Sequence, residues 1–345
     1  MKPFDTPPPP VQVVMATFNG EPFIGEQLES LRRQTFREWV LWVRDDGSTD
    51  GTVAVVRRFG ELDSRIRLIE DRSGTQGPAG NFGALLAHAY SMEARYVFLA
   101  DQDDIWVDDK MARQLDQMRA HDEGRPATPR VMYSDLEVVD RDMGRIHRSF
   151  MRYEMLRHEA EPLPVLLAQN FVTGCTMLVN RALLEVALPI PPRVMMHDWW
   201  LALCAAATGR LHHLPEKTVR YRQHGRNQVG AQGYWRRLIP FSVLLGRKRG
   251  MRIGNFVRTV CQAQALLRRL GDRSSFGDDE HRGLVKEYCE VFEVPMHGMK
   301  RAGRVFSLGI RRQGVPRQIL LYVQAAMWAR KSRQMRGEEK THRVF

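Results

Sequence analysis

The chain has 345 residues, of which 43% are hydrophobic and 27% are charged, so it contains enough apolar material for one large domain or two ordinary ones. Its formal net charge is +12, and the basic excess lies in residues 231–345, which carry 24 Lys and Arg against 9 Asp and Glu. This composition excludes disorder throughout the chain and predicts a nearly neutral body followed by a basic C-terminal region.

The cysteines and the apolar stretches indicate the compartment. Cys175, Cys204, Cys261 and Cys289 lie far apart, without a CxxC pair or zinc-finger spacing, which favours a reducing compartment. The first residues contain no apolar segment typical of a signal peptide, and no run of about 18 apolar residues occurs. We therefore expect a cytoplasmic protein that does not span a membrane.

Strand and helix patterns alternate after a proline-rich leader at residues 1–10. Short β-branched apolar runs predict strands, and apolar residues at helical spacing predict the helices between them. This βαβ rhythm predicts an α/β fold with an open, mostly parallel sheet flanked by helices. The predicted strands are residues 11–16, 39–43, 66–69 and 96–100, and the predicted helices are residues 21–34, 53–59 and 79–90.

The same fold is expected to continue to a boundary near residue 230, where Gly225, Gly230 and Gly233 coincide with the change in charge. We expect an α/β domain at residues 11–230 and a basic α-helical extension at residues 231–345. The later predicted elements are strands at 131–139 and 176–179, a helix at 199–207, an edge strand at 214–222 and a C-terminal helix at 316–334.

Polar clusters follow three of the predicted strands, at residues 17–21, 45–50 and 101–104. In such sheets, ligands bind at the carboxyl ends of the strands, so these clusters should converge on one rim. Asp101, Asp103 and Asp104 repel one another, and a hard cation such as Mg²⁺ or Mn²⁺ would stabilise them. The alternatives are an acidic helix start for this cluster and a simple turn for Asp45 to Ser48. No GxGxxG or P-loop motif occurs.

The combination of these motifs resembles the family-2 glycosyltransferases, and within them the rhamnosyltransferase-like branch. The resemblance rests on VVMATFNGEPFIGEQLESLRRQTFREW, VRDDGSTDGT, GPAGNFGALL and FLADQDDIW in this order, and on the later HDWW and YRQHG. It covers roughly residues 11–230. It implies a GT-A fold and an inverting, metal-assisted transfer of a sugar from a nucleotide diphosphate, with dTDP-rhamnose or a UDP-hexose as donor.

The resemblance also assigns roles to individual residues. Asp198 falls at the position of the acceptor-activating base, and Asp101, Asp103 and His224 would hold Mg²⁺ or Mn²⁺. The absence of a QxxRW motif argues for addition of a single sugar. The residues assigned to the nucleotide sugar are Thr17, Asn19, Glu21, Asp46, Asp101, Gln102 and Asp103.

Several neighbouring side chains have both a functional and a structural interpretation. Arg222 and His224 begin a Gly-bounded basic loop, residues 221–230, which suits a lid over a diphosphate or an ordinary solvated loop. Trp106, Trp199 and Trp200 would stack on sugars of the acceptor or lie in the core. His197 would support Asp198 or serve only packing.

The basic C-terminal region suggests three kinds of partner: an anionic membrane surface, a polyphosphate or nucleic acid. The segment at residues 235–249 has an apolar stretch between cationic clusters, which is typical of an interfacial element. We therefore expect a saccharide or lipid-linked saccharide acceptor and peripheral contact with the inner face of the membrane; a helical cap on the body is the alternative.

The rival functions are a nucleic-acid-binding protein, a nucleotidyltransferase and an inactive sugar-nucleotide binder. Because no nucleic-acid-binding signature occurs, we expect no nucleic-acid partner.

Overall fold

A computed structural model gives the fold and describes residues 9–71, 74, 76–224, 248–271 and 279–328. The chain forms two compact units, and the first consists of Met1–His158 and Phe171–Tyr234. The second consists of Glu159–Asn170 and Trp235–Phe345. The sequence predicts a single boundary near residue 230, whereas the structure also assigns Glu159–Asn170 to the C-terminal unit.

Hydrogen bonds between distant parts of the chain explain this difference. The Arg311 guanidinium donates to Glu159 at 3.1 Å, and the Gln313 side chain donates to the same carboxylate at 2.9 Å. The Arg312 Nε atom donates to the Ala168 carbonyl at 2.9 Å. No local pattern in the sequence reports contacts across such separations.

The first unit begins with the predicted alternation of strands and helices. Both predicted helices that follow the second and third strands extend slightly beyond their predicted ends. The elements are β1 (Val11–Thr17), α1 (Glu21–Arg32), β2 (Trp39–Asp45), α2 (Thr52–Leu62), β3 (Ile66–Leu68), α3 (Gly77–Ser91), β4 (Tyr96–Asp101), β5 (Ile105–Trp106), α4 (Lys110–Asp122), β6 (Arg130–Val139), β7 (Arg145–His147) and α5 (Phe150–Tyr153).

The rest of the first unit returns to the same sheet. A 3-10 turn at Gly174–Thr176 precedes β8 (Leu178–Asn180), so this strand starts later than predicted. The Asn180 side chain then accepts from the Leu183 N–H and caps α7 (Arg181–Ala187). Helix α8 (His197–Thr208) and β9 (Arg210–Arg222) follow.

The strands form one sheet in the order β3-β2-β1-β4-β8-β6-β9-β5, with β7 paired to β6. Strands β1 to β4 are parallel, whereas β8 is antiparallel to both β4 and β6. Strand β9 runs parallel to β6 and pairs on its other side with β5, so the prediction of an edge strand is wrong. Alternation of side chains reveals a strand but not the neighbours with which it pairs.

The sheet forms because its strands bury both faces, as expected for strands covered by helices. Every residue of β2 except Asp45 is buried, and a hydrogen bond of 2.7 Å from the Trp42 indole to Gln12 satisfies the polar atoms between β1 and β2. Helix α1 presents Ile24, Leu28 and Leu31 to this core at helical spacing. The core therefore lies directly below the rim at which the strands end.

The second unit is helical, as predicted. Its helices are α6 (Leu163–Leu166), α9 (Lys248–Gly271), α10 (Asp279–Glu293), α11 (Gly298–Ser307) and α12 (Val315–Ala326). In its core, the rings of Phe256, Phe292 and Trp328 pack edge to face, with ring centroids 4.9 to 5.9 Å apart. Among the described residues, no helix is both long enough and apolar enough to cross a membrane. Most of the predicted interfacial segment at 235–249 lies outside the described residues, because the description resumes at residue 248. The last part of the predicted helix 316–334, from residue 329, also lies outside them.

Candidate active site

The ends of β1, β2 and β4 form one rim of the first unit. Thr17 pairs in register with Asp45, and Ala16 lies between Arg44 and Asp101. Parallel strands bring their carboxyl ends to the same edge, so the three polar clusters lie side by side. This places the predicted nucleotide-sugar residues on one edge of the sheet.

On one side of this rim, polar side chains join the loops that follow β1 and β2. The Thr17 hydroxyl donates to Asp45 at 2.8 Å, and the Asn19 side-chain oxygen accepts from the Thr49 N–H at 2.9 Å. Glu21 accepts from the Gly51 N–H at 2.8 Å, directly before α2. These predicted ligand-binding side chains are therefore bonded to the neighbouring loop.

Asp46 likewise binds backbone N–H groups, in its case those at the start of α3. Its two carboxylate oxygens accept from the N–H groups of Gln76 and Gly77, each at 2.8 Å. Buried Arg44 lies 3.2 Å from Asp46 and 2.7 Å from Asp71, and hydrogen bonding to Asp71 is the largest cause that raises the pKa of Arg44. Asp46 thus lies at the rim, buried, and orients the first turn of α3.

The segment from Asp101 to Asp104 forms the adjoining part of the rim. The Gln102 amide accepts from the Phe18 N–H at 2.9 Å and donates to the Phe18 carbonyl at 3.0 Å. A Cβ atom on Gly20 would lie 2.2 Å from the Gln102 oxygen, so only glycine allows this approach. Gln102 therefore locks the loop after β1 to the acidic segment.

The carboxylates on this side of the rim affect one another electrostatically. Burial, followed by the charges of Asp103 and Asp198, raises the pKa of Asp101 to about 8. Burial and the charges of Asp103 and Asp101 also raise the pKa of Asp104. The structure therefore brings Asp101, Asp103 and Asp198, which the sequence predicted as functional, within electrostatic reach of one another.

His224 and Asp103 form the contact that the predicted metal site requires. The His224 Nε2 atom lies 2.7 Å from the Asp103 carboxylate, and its ring stacks on Phe23 with centroids 4.6 Å apart. Phe23 belongs to α1, and the sequence analysis did not assign it to the site. Its position on the buried side of an amphipathic helix, two residues after Glu21, is the signal that could have suggested it.

Arg222 is buried, which corrects both predictions made for it, a donor in a lid and a member of a solvated loop. Its guanidinium bonds to the Asp103 carbonyl at 3.0 Å, to Glu26 at 2.7 Å and to the Arg141 carbonyl at 2.6 Å. A cation with these partners holds the acidic segment against α1. The remainder of the predicted lid, residues 225–230, lies outside the described residues.

Asp198 lies in the first turn of α8, where the helix dipole favours a negative charge. Its Oδ2 atom accepts from the Gly174 N–H at 3.2 Å. A Cβ atom on Gly174 would lie 3.3 Å from the Asp198 Cβ atom and 3.2 Å from His197 Nε2. This close approach fixes the direction of the carboxylate beside the acidic segment.

His197 is buried and its ring stacks on Phe82 with centroids 3.8 Å apart. Burial lowers the pKa of His197 to about 3, so the ring stays neutral near pH 7. Within the described part of the chain, neither ring nitrogen has a hydrogen-bond partner. Its role is therefore packing beside Asp198, in agreement with the structural interpretation of the sequence.

Two of the three tryptophans do not form a surface for sugars. Trp106 and Trp200 are fully buried, and the Trp200 indole donates to the Ala187 carbonyl at 2.8 Å. Of the two interpretations that the sequence left open, burial therefore contradicts stacking on acceptor sugars for Trp106 and Trp200 and supports a place in the core. Trp199 is also buried, although it keeps a small exposed fraction of 9%.

Two buried residues beside the acidic segment, Cys175 and Lys110, were missed by the sequence analysis. Atoms of Asp101, Asp104 and Cys175 lie within 4.8 Å of one another. Fully buried Lys110 donates to Gln114 at 2.5 Å and to the Thr176 carbonyl at 3.3 Å, and burial lowers its pKa to about 7. A hard Mg²⁺ or Mn²⁺ ion favours oxygen ligands over a buried thiol, so Asp101 and Asp103 are better candidates for metal ligands than Cys175. The predicted ligand His224 would add a nitrogen.

The acidic rim at the carboxyl ends of a helix-flanked, largely parallel sheet agrees with the expected GT-A fold. The family model "Glycosyl transferase family 2" matches residues 12–187, just over half of the chain. The chain belongs to this family. Family membership favours a glycosyltransferase over the nucleic-acid-binding protein and the nucleotidyltransferase.

Individual relatives agree with this assignment. The chain is 28% identical over 229 residues to dTDP-rhamnosyl transferase RfbG of Shigella flexneri, covering 63% of this chain and 74% of the relative. It is 29% identical over 195 residues to UDP-Glc:alpha-D-GlcNAc-diphosphoundecaprenol beta-1,3-glucosyltransferase WfgD of Escherichia coli, covering 56% and 68%. The match to RfbG agrees with the rhamnosyltransferase-like character of the sequence.

A solved structure confirms the fold. The crystal structure of S. aureus TarS 1-349 superposes with a TM-score of 0.51 at 16% sequence identity, covering 86% of this chain and 80% of that chain. At this identity the similarity concerns the fold alone.

Proposed function

We propose that this glycosyltransferase moves one sugar from a nucleotide diphosphate sugar to a saccharide acceptor, with inversion at the anomeric carbon. The observation that carries the proposal is the meeting of Asp101, Asp103 and Asp198 at the rim where the strands end, with His224 Nε2 2.7 Å from the Asp103 carboxylate. An inverting transfer needs a base on one face of the sugar and stabilisation of the departing diphosphate on the other. The two groups of carboxylates match these two requirements.

Asp198 is the proposed base. As the bond from the anomeric carbon to the diphosphate breaks, its electron pair remains on the leaving phosphate oxygen, and the acceptor oxygen forms the new bond. The acceptor hydroxyl proton passes to the Asp198 carboxylate. The Gly174 N–H, 3.2 Å from Asp198 Oδ2, and the start of α8 keep this carboxylate oriented for that proton.

Asp101, Asp103 and His224 are the proposed ligands of Mg²⁺ or Mn²⁺. The fit rests on their chemistry: burial, followed by the charges of Asp103 and Asp198, raises the pKa of Asp101, and the His224 Nε2 atom lies 2.7 Å from Asp103. When bound, such an ion neutralises the developing charge of the diphosphate. Arg222 keeps the acidic segment in place through the Asp103 carbonyl.

The nucleotide is proposed to lie against the loops after β1 and β2. Their backbone is fixed by Thr17, Asn19, Glu21, Asp46 and Gln102 through the hydrogen bonds described above. The proposed donor is dTDP-rhamnose, supported by similarity to RfbG, and a UDP-hexose is the alternative, supported by similarity to WfgD.

The proposed acceptor is a glycan or a lipid-linked saccharide of cell-surface polysaccharide synthesis, met at the cytoplasmic face of the membrane. Similarity to WfgD, a glucosyltransferase for alpha-D-GlcNAc-diphosphoundecaprenol, supports this class of acceptor. Trp199, with its small exposed fraction, is the remaining tryptophan that we propose for the acceptor side. The missing QxxRW motif favours a single addition over processive synthesis.

A transfer assay with the full chain tests the proposal. Purified protein is incubated with dTDP-rhamnose, UDP-glucose or GDP-mannose and a lipid-linked GlcNAc diphosphate, with Mg²⁺, Mn²⁺ or a chelator, and the anomeric configuration of the product is read by NMR. We expect one donor to react, only with metal, to give an inverted product. A retained configuration, or equal transfer in the chelator, would contradict the mechanism. Asp116→Asn, on the exposed side of α4, is the matched control for variants of Asp198.

A further inference from the structure

Helices α11 and α12 of the second unit direct large apolar side chains into solvent. Those that these helices expose are Met299 (72%), Phe306 (69%), Val315 (72%), Ile319 (58%) and Val323 (38%). Single exposed apolar residues are common, but a contiguous apolar patch marks a surface that contacts something. The arrangement of these five residues therefore matters more than their number.

On α12 the exposed residues share one face. Val315, Ile319 and Val323 recur every four residues, so they lie one above another along the helix. The buried residues of α12 are Leu321, Gln324 and Ala325, on the other side. An ordinary surface helix shows polar residues to water, whereas this one buries a glutamine and shows valine and isoleucine.

The exposed residues of α11 extend this surface. Met299 and Phe306 are seven residues apart and so lie on one face of their helix. The Phe306 ring meets the Tyr322 ring of α12 edge to face, with centroids 6.1 Å apart. The two strips are thus continuous, and we call them the α11/α12 apolar face: Met299, Phe306, Val315, Ile319, Tyr322 and Val323.

Positive charge accompanies this face. Lys300 and Arg304 are exposed on α11, about a third of a turn or more around the helix from Met299 and Phe306, and Arg304 also lies 3.5 Å from Glu287 of α10. In the sequence, residues 231–345 carry a net charge of +15. A partner that matches this surface must combine an apolar interior with negative charge. An anionic lipid bilayer has both, because its acyl chains lie beneath anionic headgroups. A second copy of this chain would instead bring the same cations against Lys300 and Arg304.

We propose that the α11/α12 apolar face inserts into the interface of an anionic lipid bilayer and attaches the second unit to the membrane. The inference deepens the proposed function and rests on it in one respect, because a lipid-linked acceptor lies at that surface. It concerns a different surface from the segment at residues 235–249. Phe306 and Ile319 supply the deepest apolar contacts, and Lys300 and Arg304 face the headgroups.

Vesicle flotation with the full-length protein tests this proposal without any nucleotide sugar. The vesicles contain phosphatidylcholine alone, or phosphatidylcholine and phosphatidylglycerol in equal parts. We expect binding to the anionic vesicles and partial loss of binding at high salt. The double variant Phe306→Ser/Ile319→Ser should bind at least about tenfold more weakly, because two apolar anchors are lost.

The control is Leu62→Ser on α2 of the first unit, since Leu62 is also 64% exposed. It should bind like the wild type, and thermal unfolding should show that both variants are folded. If the wild type does not float, or if the double variant floats equally well, the proposal is wrong. It is also wrong if light scattering shows a wild-type dimer that the double variant abolishes, because the face then binds a second copy. Donor titration of the same variants is a separate measurement, so failure of the proposed function is recognised independently.

Discussion

The two sides of the rim differ in what their polar side chains contact. After β1 and β2, Thr17, Asn19 and Glu21 bond to the neighbouring loop and fix its backbone. Beside β4, α8 and β9, Asp101 and Asp103 carry interacting charges close to Asp198. The difference shows that one motif can contain two kinds of residue. Some fix the backbone of a loop through hydrogen bonds, and others carry the interacting charges of the proposed catalytic site.

The largest effect should follow Asp198→Asn. The amide keeps the size of the side chain but cannot take the acceptor proton, so kcat should fall about a thousandfold. Donor affinity, measured by calorimetric titration, should change little because the acidic segment is intact. Asp116→Asn should leave both quantities unchanged. Transfer by Asp198→Asn at more than about a tenth of the wild-type rate would show that another group is the base.

A smaller effect is expected from His224→Ala. The substitution removes a proposed ligand from beside Asp103, so the affinity for Mn²⁺ should fall about 10- to 100-fold. Titration of Mn²⁺ followed by electron paramagnetic resonance measures this affinity directly. His281→Ala, on α10, is the comparison variant and should bind Mn²⁺ like the wild type. Unchanged Mn²⁺ affinity in His224→Ala would leave His224 as a packing residue on Phe23.

His197 should make stability depend on pH. Its pKa is about 3 in the folded protein, against 6.5 for an ordinary histidine, so below pH 6.5 the unfolded state binds the extra proton. Stability is therefore lost as pH falls from about 6.5 toward 3, by about 2 kcal/mol at pH 5. In His197→Phe this loss should disappear, and the unfolding temperature should fall less between pH 7 and about 5. If the unfolding temperatures of the two proteins fell equally between pH 7 and about 5, His197 would titrate like an ordinary histidine.

The smallest effect is expected from Glu21→Ala. The variant loses the acceptor for the Gly51 N–H before α2, which should lower stability by at most about 1 kcal/mol at this exposed position. Donor affinity should fall by less than about threefold, because Glu21 acts through the loop. Denaturant unfolding and donor titration measure the two quantities. A drop of tenfold or more in donor affinity would place Glu21 in direct contact with the ligand and remove the distinction between the two sides.

Much of the fold could be predicted because its signals are local. The runs that became β1, β2 and β4 are short, apolar and followed by polar clusters, and parallel pairing brings those clusters together. The interior position of β9 and the transfer of Glu159–Asn170 to the second unit could not be predicted. Both depend on pairing between segments far apart in the chain, which hydrophobic periodicity does not encode.

Part of the arrangement of the candidate site could also be predicted. The motifs selected the acidic segment, Asp198 and His224 as candidates, and the structure brings Asp103 and His224 into contact. Lys110 and Cys175 were missed because single residues within helix and turn patterns carry no signal of their own. Trp106 and Trp200 were assigned to sugars because a tryptophan suits stacking and packing alike, and only burial separates these roles.

The most direct test of the central claim is calorimetric titration of the full chain with dTDP-rhamnose and UDP-glucose, with Mn²⁺ and with a chelator, beside Asp103→Asn. If the acidic side of the rim binds the diphosphate through a divalent ion, one donor will bind the wild type with Mn²⁺, and binding will be lost both in the chelator and in Asp103→Asn. Donor binding that is equal in all three cases would contradict the account.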